Sequence, residues 1–129
     1  MRFLVDTHVF LWAVLSPEKL TDRVRSVFTD RGAELLLSIA TPWEMAIKVG
    51  IGRLEGGAEI LDNFESLVTA GGYRLLETSI KHTIRSGYLP RYHKDPFDRM
   101  LIAQALDLNV PILSSDDIFD LYGVRRVWK

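Results

Sequence analysis

The stretch HKDPFDRM, residues 93–100, decides how the chain is organised, because a charged loop there leads directly into the most hydrophobic helical pattern, residues 100–108. Asp95 is predicted to be the N-cap of this helix, with Pro96 at its first position. Asp98 follows three residues after the cap, where a carboxylate can reach back to the cap amide. Capping accounts for both acids but not for the cations around them. We therefore interpret Asp98 as one of four carboxylates that the fold brings together.

On both sides of this helix, short apolar runs alternate with helical patterns along the chain. The predicted strands are residues 3–5, 35–39, 73–76, 110–113 and 124–128. Buried parallel strands are typically unbroken apolar runs, whereas a helix repeats apolar residues every three or four positions. The alternation predicts an α/β domain with a mainly parallel sheet and right-handed crossovers.

The helical pattern after the first strand has a feature of its own. Residues 9–15 are apolar on every side, which predicts a helix covered by the core on one face and by a second subunit on the other. Phe10, Leu11 or Trp12 would otherwise face water, so we expect a homodimer. A further helix is predicted from Pro17 to a stop at Gly32.

The segment after the second strand has the pattern of a capping box. Thr41 is predicted to cap a helix, with Pro42 at its first position and Glu44 at its third. Glu44 and Lys48 share one face at i,i+4 spacing. The apolar residues at helical spacing predict a buried stripe formed by Trp43, Ala46, Ile47 and Ile51.

Composition limits the class of protein. The 129 residues suit a single domain, residues 1–129, and the chain has no cysteine for a disulfide or a thiolate metal site. An acidic residue follows too soon after the start for a signal peptide, and no apolar run is long enough to span a membrane. We expect a cytoplasmic protein without a membrane segment.

The charge balance does not by itself indicate nucleic-acid binding. Sixteen Lys and Arg against seventeen Asp and Glu give a formal net charge of −1. If four carboxylates are held in one metal site, thirteen acids remain against sixteen bases, which leaves 16 − 13 = +3 for the surroundings. That distribution is compatible with a phosphodiester substrate.

Four acids are predicted to meet at one edge of the sheet. Asp6 and Asp116 follow strands, Glu44 lies on the helix after a strand, and Asp98 begins the helix that leads into one. Sites in open parallel sheets form beyond the carboxyl ends of the strands. Clustered carboxylates repel one another and raise one another's pKa, and a divalent cation removes that cost.

Each acid also has an ordinary structural explanation. Glu44 and Asp98 are stabilised at the third position of a helix by the helix dipole, and Asp6 could cap the helix that begins at His8. Asp116 could lie in a turn, and Asp117 competes with it as the fourth acid. The coincidence of four acids at one sheet edge favours the metal site.

The expected ion is Mg²⁺ or Mn²⁺, because all the predicted ligands are oxygens. His8, His82 and His93 are too scattered in the sequence to form a zinc triad. Carboxylate-bound Mg²⁺ or Mn²⁺ can activate water and stabilise the leaving oxygen of a phosphodiester, so hydrolysis of a nucleic-acid backbone is the natural chemistry. Cationic side chains near the acids are candidates for contacts with RNA, namely Lys48, Arg91, His93, Lys94 and Arg99.

Four segments together resemble the PIN-domain family, specifically VapC-like toxins of bacterial toxin–antitoxin pairs. They are residues 4–8 (LVDTH), 41–48 (TPWEMAIK), 93–105 and 113–116 (LSSD), and they extend over essentially the whole chain. The resemblance implies a three-layer α/β/α sandwich with a PIN-like central sheet. It also implies a metal-dependent endoribonuclease that a cognate antitoxin holds inactive.

Position by position, the resemblance assigns roles to individual residues. The family's acidic quartet falls on Asp6, Glu44, Asp98 and Asp116. Ser114 occupies a supporting position where the family often has Thr or Ser, and Thr7 directly follows the first acid. The doubled Asp116-Asp117 departs from the pattern and leaves open which of the two is the fourth acid.

Two other functions are compatible with parts of the pattern. A phosphoacceptor receiver domain also alternates β and α, but it requires an acidic pair after the first strand and a Lys near the end, where this chain has Asp6 alone and Asp116-Asp117. A catalytically silent PIN-like module that binds RNA or protein is the second alternative. Cleavage of total RNA by the purified protein distinguishes the latter from a nuclease.

Overall fold

The central sheet is built from five parallel strands in the order β3-β2-β1-β4-β5. The structure is a computed structural model that describes all residues, Met1–Lys129. The strands are β1 (Arg2–Val5), β2 (Glu34–Ser38), β3 (Tyr73–Leu76), β4 (Ile112–Leu113) and β5 (Arg126–Val127). A receiver domain has the order 2-1-3-4-5. The observed topology therefore excludes the receiver alternative.

Helices connect the strands and cover both faces of the sheet. They are α1 (Thr7–Leu15), α2 (Asp22–Thr29), α3 (Ala40–Gly50), α4 (Gly57–Asp62), α5 (Phe64–Ala70), α6 (Ile80–Tyr88) and α7 (Pro96–Leu108). Two short 3-10 helices, Pro17–Lys19 and Asp117–Tyr122, complete the chain. None of the helices combines the length and the hydropathy that crossing a bilayer requires.

β1, β2 and β4 contribute alternate side chains to two separate cores. Phe3 and Val5 of β1 pack with α1 to α5 on one face, whereas Leu4 packs with α7 and Phe119 on the other. This alternation follows from the two-residue period of a strand. The result is the predicted three-layer α/β/α sandwich.

The expectation that Phe10, Leu11 or Trp12 of α1 faces water in a single subunit is wrong. Phe10 is fully buried at 0%, and Leu11 is also buried, because α4, α5 and the start of β3 cover the face that was assigned to a second subunit. Phe10 packs against the rings of Phe64 and Tyr73. Trp12 is partly covered by Trp128, with ring centroids 5.7 Å apart. The argument for a dimer through this helix therefore fails.

Two predicted helix starts also differ from the structure. The helix expected from Pro17 is a 3-10 turn followed by α2, which Thr21 caps through its side chain. Helix α3 begins at Ala40, so Thr41 lies inside the helix and makes no capping bond. Pro42 is tolerated there because the amides of the first turn have no partner within the helix.

The predicted buried stripe of α3 is also wrong. The side chains that face the core are those of Ala40, Thr41, Glu44 and Met45. Trp43 is 63% exposed, and the other three predicted core residues, Ala46, Ile47 and Ile51, are also exposed. The apolar stripe thus lies on the outer surface of the helix.

Candidate metal centre

The candidate site lies where the order of the strands changes direction. β1 and β4 are neighbours in the sheet although the chain passes through β2 and β3 between them. Asp6 directly follows β1, and Asp116 follows β4 by three residues. Their position is the one where open parallel sheets commonly bind ligands.

Asp6 and Asp116 are linked through the hydroxyl of Ser114. The Ser114 Oγ donates to Asp6 Oδ2 at 2.8 Å and accepts from the Asp116 amide at 3.0 Å. Ser114 is fully buried, and Asp6 is nearly so. Asp6 Oδ1 is buried without a hydrogen-bond partner. Asp116 Oδ1 accepts from the Ile118 amide at 3.1 Å and thereby caps the 3-10 helix.

Glu44 points inward from α3 toward the same region. One oxygen, Oε2, accepts from Lys48 Nζ at 2.9 Å, and the other, Oε1, is buried without a partner. The Thr7 and Thr41 hydroxyls form a buried hydrogen bond of 3.0 Å between the starts of α1 and α3. This bond holds the helix that carries Glu44 against the helix that follows Asp6.

Asp98 is contributed by the first turn of α7. As predicted, Asp95 is the N-cap, and its Oδ1 accepts from the amides of Phe97 and Asp98 at 2.8 and 3.4 Å. Asp98 does not reach back to the cap amide, which donates instead to His93 Nδ1 at 3.3 Å. The Asp98 Oδ2 lies 2.7 Å from His93 Nε2.

The four acids influence one another electrostatically. Burial raises the pKa of Asp98 to about 8, and the charges of Asp6, Asp95, Glu44 and Asp116 contribute in the same direction. Burial also raises the pKa of Asp6, against the hydrogen bond from Ser114 and the charge of His8, which lower it. Clustered carboxylates in a poorly solvated place favour the neutral form.

The surroundings of Lys48 show the same negative potential. Burial lowers its pKa, but the hydrogen bond and charge of Glu44 outweigh burial, and Asp95 and Asp98 add to the effect. The pKa of Lys48 therefore lies above its ordinary value. A single ammonium group does not satisfy four acids, so a further cation is favoured in the cluster.

The donor set fits a hard divalent cation. Asp6 and Glu44 each have one oxygen held by a protein donor and the other buried without a partner. A buried, unpaired carboxylate oxygen is costly unless a cation or another donor satisfies it. Asp98, Asp116 and His93 have ligand atoms that lie within 4.8 Å of one another. The chain therefore has a possible acidic metal-binding group at this sheet edge.

Several predicted site residues lie elsewhere. Asp117 is exposed, whereas Asp116 Oδ2 lies 3.9 Å from His93 Nε2, so Asp116 is the one of the two that joins the group of Asp98 and His93. Arg99 is buried, and its guanidinium donates only to backbone carbonyls, so it is not free to contact RNA. The carbonyls belong to Ser86, Gly87, Leu89, Pro90 and His93. Arg91 and Lys94 are exposed.

Two features of the site were missed in the sequence. The scattered histidines argue against a zinc triad, and His93 is predicted to contact RNA, yet its Nε2 lies 2.7 Å from Asp98 Oδ2. The predicted N-cap at Asp95 contained the necessary signal, because a cap fixes the residues before it relative to the first helical turn. Arg53 was not considered, although it lines a cleft that also contains Glu44, Lys48 and Lys94.

Comparison with known proteins agrees with this architecture. The PIN domain family matches residues 3–124. No curated protein sequence matches the chain significantly. Among solved structures, the VapBC2 complex of Rickettsia felis bound to a promoter DNA fragment aligns over 100% of both chains, with a TM-score of 0.71 and 12% identity.

Two further structures are similar to this chain. VapBC-1 of nontypeable Haemophilus influenzae aligns over 98% of this chain and 97% of its own, with a TM-score of 0.67 and 16% identity. FitAcB of Neisseria gonorrhoeae aligns over 98% and 96%, with a TM-score of 0.63 and 19% identity. These likenesses establish the fold. Because the family match extends over nearly the whole sequence, the chain belongs to the PIN domain family.

Proposed function

We propose that residues 1–129 form a single nuclease domain, a metal-dependent endoribonuclease that serves as the toxin of a toxin–antitoxin pair. The observation that carries the proposal is the convergence of Asp6, Glu44, Asp98 and Asp116 at the switch point of a PIN fold, with two buried oxygens unpaired. The proposed ligands are these four acids, and the proposed ion is Mg²⁺ or Mn²⁺, because hard ions prefer carboxylate oxygens.

The chain's own residues hold the acids ready for the ion. Ser114 orients Asp6, and Lys48 orients Glu44, so that each acid keeps one oxygen for the ion. The hydroxyl pair of Thr7 and Thr41 supports this arrangement. When bound, a divalent ion supplies an activated water and stabilises charge on the leaving oxygen.

The substrate we propose is RNA, approaching through a cleft of about 400 Å³ beside the acids. The cleft is lined by Glu44 together with three cations, Lys48, Arg53 and Lys94. Lys48 is paired with Glu44, whereas the side chains of Arg53 and Lys94 have no ion-pair partner. Unpaired cations next to a negative site suit the phosphates that flank the bond to be cut.

We further propose a cognate antitoxin as the inhibitory partner. The support is that the similar solved structures are VapBC and FitAB complexes. A hydrophobic segment of the antitoxin would dock on the toxin, and an Arg side chain would reach the acids. A guanidinium can pair with two carboxylates and so compete with the metal. Inhibition is therefore expected to weaken as Mg²⁺ is raised.

A homodimer in the cytoplasm completes the proposal, with an interface different from the one that the sequence suggested. Exposed apolar side chains concentrate on α3 and α6, including Trp43, Ile47, Ile80, Ile84 and Tyr88. Trp43 and Ile47 line a groove of about 760 Å³ that also includes Phe97 and Met100. Contiguous exposed apolar surface of this kind usually marks an interface. The lack of cysteine fits a reducing compartment.

The decisive experiment is cleavage of total RNA by the purified protein, with fragment ends mapped. We expect cleavage with Mg²⁺ or Mn²⁺ and none after chelation. Asp98→Asn is the matched inactive control, because it keeps the size of the side chain and removes its charge. Binding of RNA without cleavage in either metal would instead favour the silent PIN-like module.

A further inference from the structure

His93 is a part of the site that the proposed function does not use. Its Nε2 lies 2.7 Å from Asp98 Oδ2 and 3.9 Å from Asp116 Oδ2. The side chain is largely buried, so it does not extend into solvent toward a nucleic-acid backbone. The ring is thus directed at two of the four acids.

Hydrogen bonds to the ring decide which nitrogen carries the proton. The Asp95 amide donates to His93 Nδ1 at 3.3 Å, so Nδ1 must present its lone pair. In a neutral imidazole the other nitrogen then carries the hydrogen. Nε2 is therefore a donor toward Asp98 Oδ2. A direct bond from Nε2 to a metal would require the opposite tautomer, whose Nδ1–H would face the Asp95 N–H.

The backbone of His93 is fixed as firmly as the ring. Its amide donates to the Tyr122 hydroxyl at 2.8 Å, and that hydroxyl donates to the Pro90 carbonyl at 2.6 Å. Its carbonyl accepts from the buried guanidinium of Arg99 at 3.1 Å. The loop before α7 is thus held so that the imidazole meets the first turn of the helix.

The contact repeats a pattern found at the other acids. Each of them has one oxygen held by a donor from the protein, namely Ser114 at Asp6, Lys48 at Glu44 and the Ile118 amide at Asp116. His93 is the corresponding donor at Asp98. His93 Nδ1 also accepts the hydrogen bond from the Asp95 amide, which Asp98 would accept in a capping box. The Asp98 carboxylate is therefore free of a capping role.

We propose that His93 is a positioning residue of the metal centre: its Nε2–H holds Asp98 Oδ2 so that the other oxygen of Asp98 can bind the divalent ion, and the imidazole itself is not a ligand. The inference rests on the proposed metal site and assigns His93 a role other than RNA binding. Donors that orient metal ligands in this way typically contribute about 10–100-fold to metal affinity.

Two substitutions separate the functions of the two ring nitrogens. In His93→Gln the amide nitrogen replaces Nε2 and keeps a donor toward Asp98. In His93→Asn the amide oxygen replaces Nδ1 and keeps an acceptor for the Asp95 amide, but no donor reaches Asp98. His93→Asn therefore removes the donor toward Asp98 while keeping the hydrogen bond that supports the fold of the loop. Melting curves establish that both variants are folded.

The measurement is Mn²⁺ affinity by calorimetry, together with pulsed EPR of bound Mn²⁺ to detect a directly coordinated nitrogen. We expect His93→Gln to bind within about threefold of the wild type and His93→Asn to bind about tenfold more weakly or worse. We expect no coordinated nitrogen in the wild type. Equal affinities of the Asn and Gln variants, or an imidazole nitrogen on the ion, would overturn the proposal. A wild-type protein that binds no Mn²⁺ would instead remove the metal site itself.

Discussion

The starts of α3 and α7 have the same local sequence pattern, a polar residue followed by proline, an aromatic residue and an acid, yet they fold differently. Asp95-Pro96-Phe97-Asp98 forms the expected cap, with Pro96 at the first position of α7. In Thr41-Pro42-Trp43-Glu44 the helix begins one residue before Thr41, and its N-cap residue, Ile39, makes no side-chain capping bond.

The segments that precede the two helices explain the difference. A loop of seven residues precedes Pro96, so the cap itself can set where α7 begins. Only Ile39 separates β2 from α3, so the end of the strand sets where that helix begins, and Ser38 Oγ accepts from the Ala40 amide. A capping pattern therefore predicts the first residue of a helix that follows a loop. After a short connection, the end of the preceding strand determines where the helix begins.

The largest expected effect is the loss of RNA cleavage when Glu44 of α3 or Asp98 of α7 is replaced by its amide. Asp98→Asn and Glu44→Gln are each expected to reduce RNA cleavage at least about a hundredfold, as when a preorganised polar group is removed from an active site. Ion-free stability of Asp98→Asn should be unchanged or higher, because a like charge has gone.

Asp95→Asn is the matched control, because asparagine caps as well as aspartate. It should keep cleavage within about threefold if Asp95 only caps. An Asp98→Asn protein that is destabilised and still cuts RNA would contradict the metal assignment. Asp98 would then be a helix-start residue, as Asp95 is.

A second test uses the two faces of α3. Met45 is fully buried at 0% exposure, so Met45→Ala is expected to lower the free energy of unfolding by about 2–5 kcal/mol. Trp43→Ala should cost less than about 1 kcal/mol, because Trp43 is largely exposed and lies on the surface against the ring of Phe97. The same change should weaken a homodimer formed through α3 and α6, as measured by sedimentation of both variants. A larger loss of stability in Trp43→Ala than in Met45→Ala would restore the predicted buried stripe.

A third test concerns pH in the absence of metal. The pKa of Asp98 is raised from 3.8 to about 8 in the folded protein, so between these values the folded state binds more protons than the unfolded state. Stability is therefore highest at low pH and falls as pH rises through this window, by on the order of 1 kcal/mol per unit.

Chemical denaturation at several pH values measures this slope. The slope should be smaller in Asp98→Asn, which has no proton to lose. Saturating Mn²⁺ should reverse the trend in the wild type, because the metal binds the ionised carboxylates and its stabilising effect grows with pH. An equal slope in wild type and variant would place the titrating group elsewhere.

The sheet, its parallel strands and the positions of the acids could be predicted from the sequence because they depend on local signals. An apolar run that ends at Asp6 specifies both a buried strand and an acid at its carboxyl end. In the same way, Asp95 and Pro96 specify where α7 begins.

The failed predictions share a different physical cause. Periodicity reveals which side chains are apolar, but not which surface another element covers. The apolar residues of α1 are covered by α4, α5 and β3, and those of α3 are left exposed because Glu44 and Met45 turn inward. His93 contacts Asp98 across the cap loop, which is consistent with the predicted cap at Asp95 but is not indicated by the spacing of the histidines.

The smallest expected effect tests the start of α3 directly. If Thr41 were an N-cap, its removal would cost about 1 kcal/mol whatever residue occupies position 7. In the structure the Thr41 hydroxyl pairs with that of Thr7 at 3.0 Å, and both residues are buried. Thr41→Val or Thr7→Val alone leaves the other hydroxyl unpaired and should cost about 1–3 kcal/mol. The double variant replaces both partners by groups of the same shape, so it should cost less than the sum, with a coupling of about 0.5–1.5 kcal/mol.

Denaturation of the four proteins without metal measures the coupling, and Thr41→Val combined with Asp95→Ala provides a pair that should be additive. Additive costs at Thr7 and Thr41 would mean that α3 begins with a local cap, as α7 does.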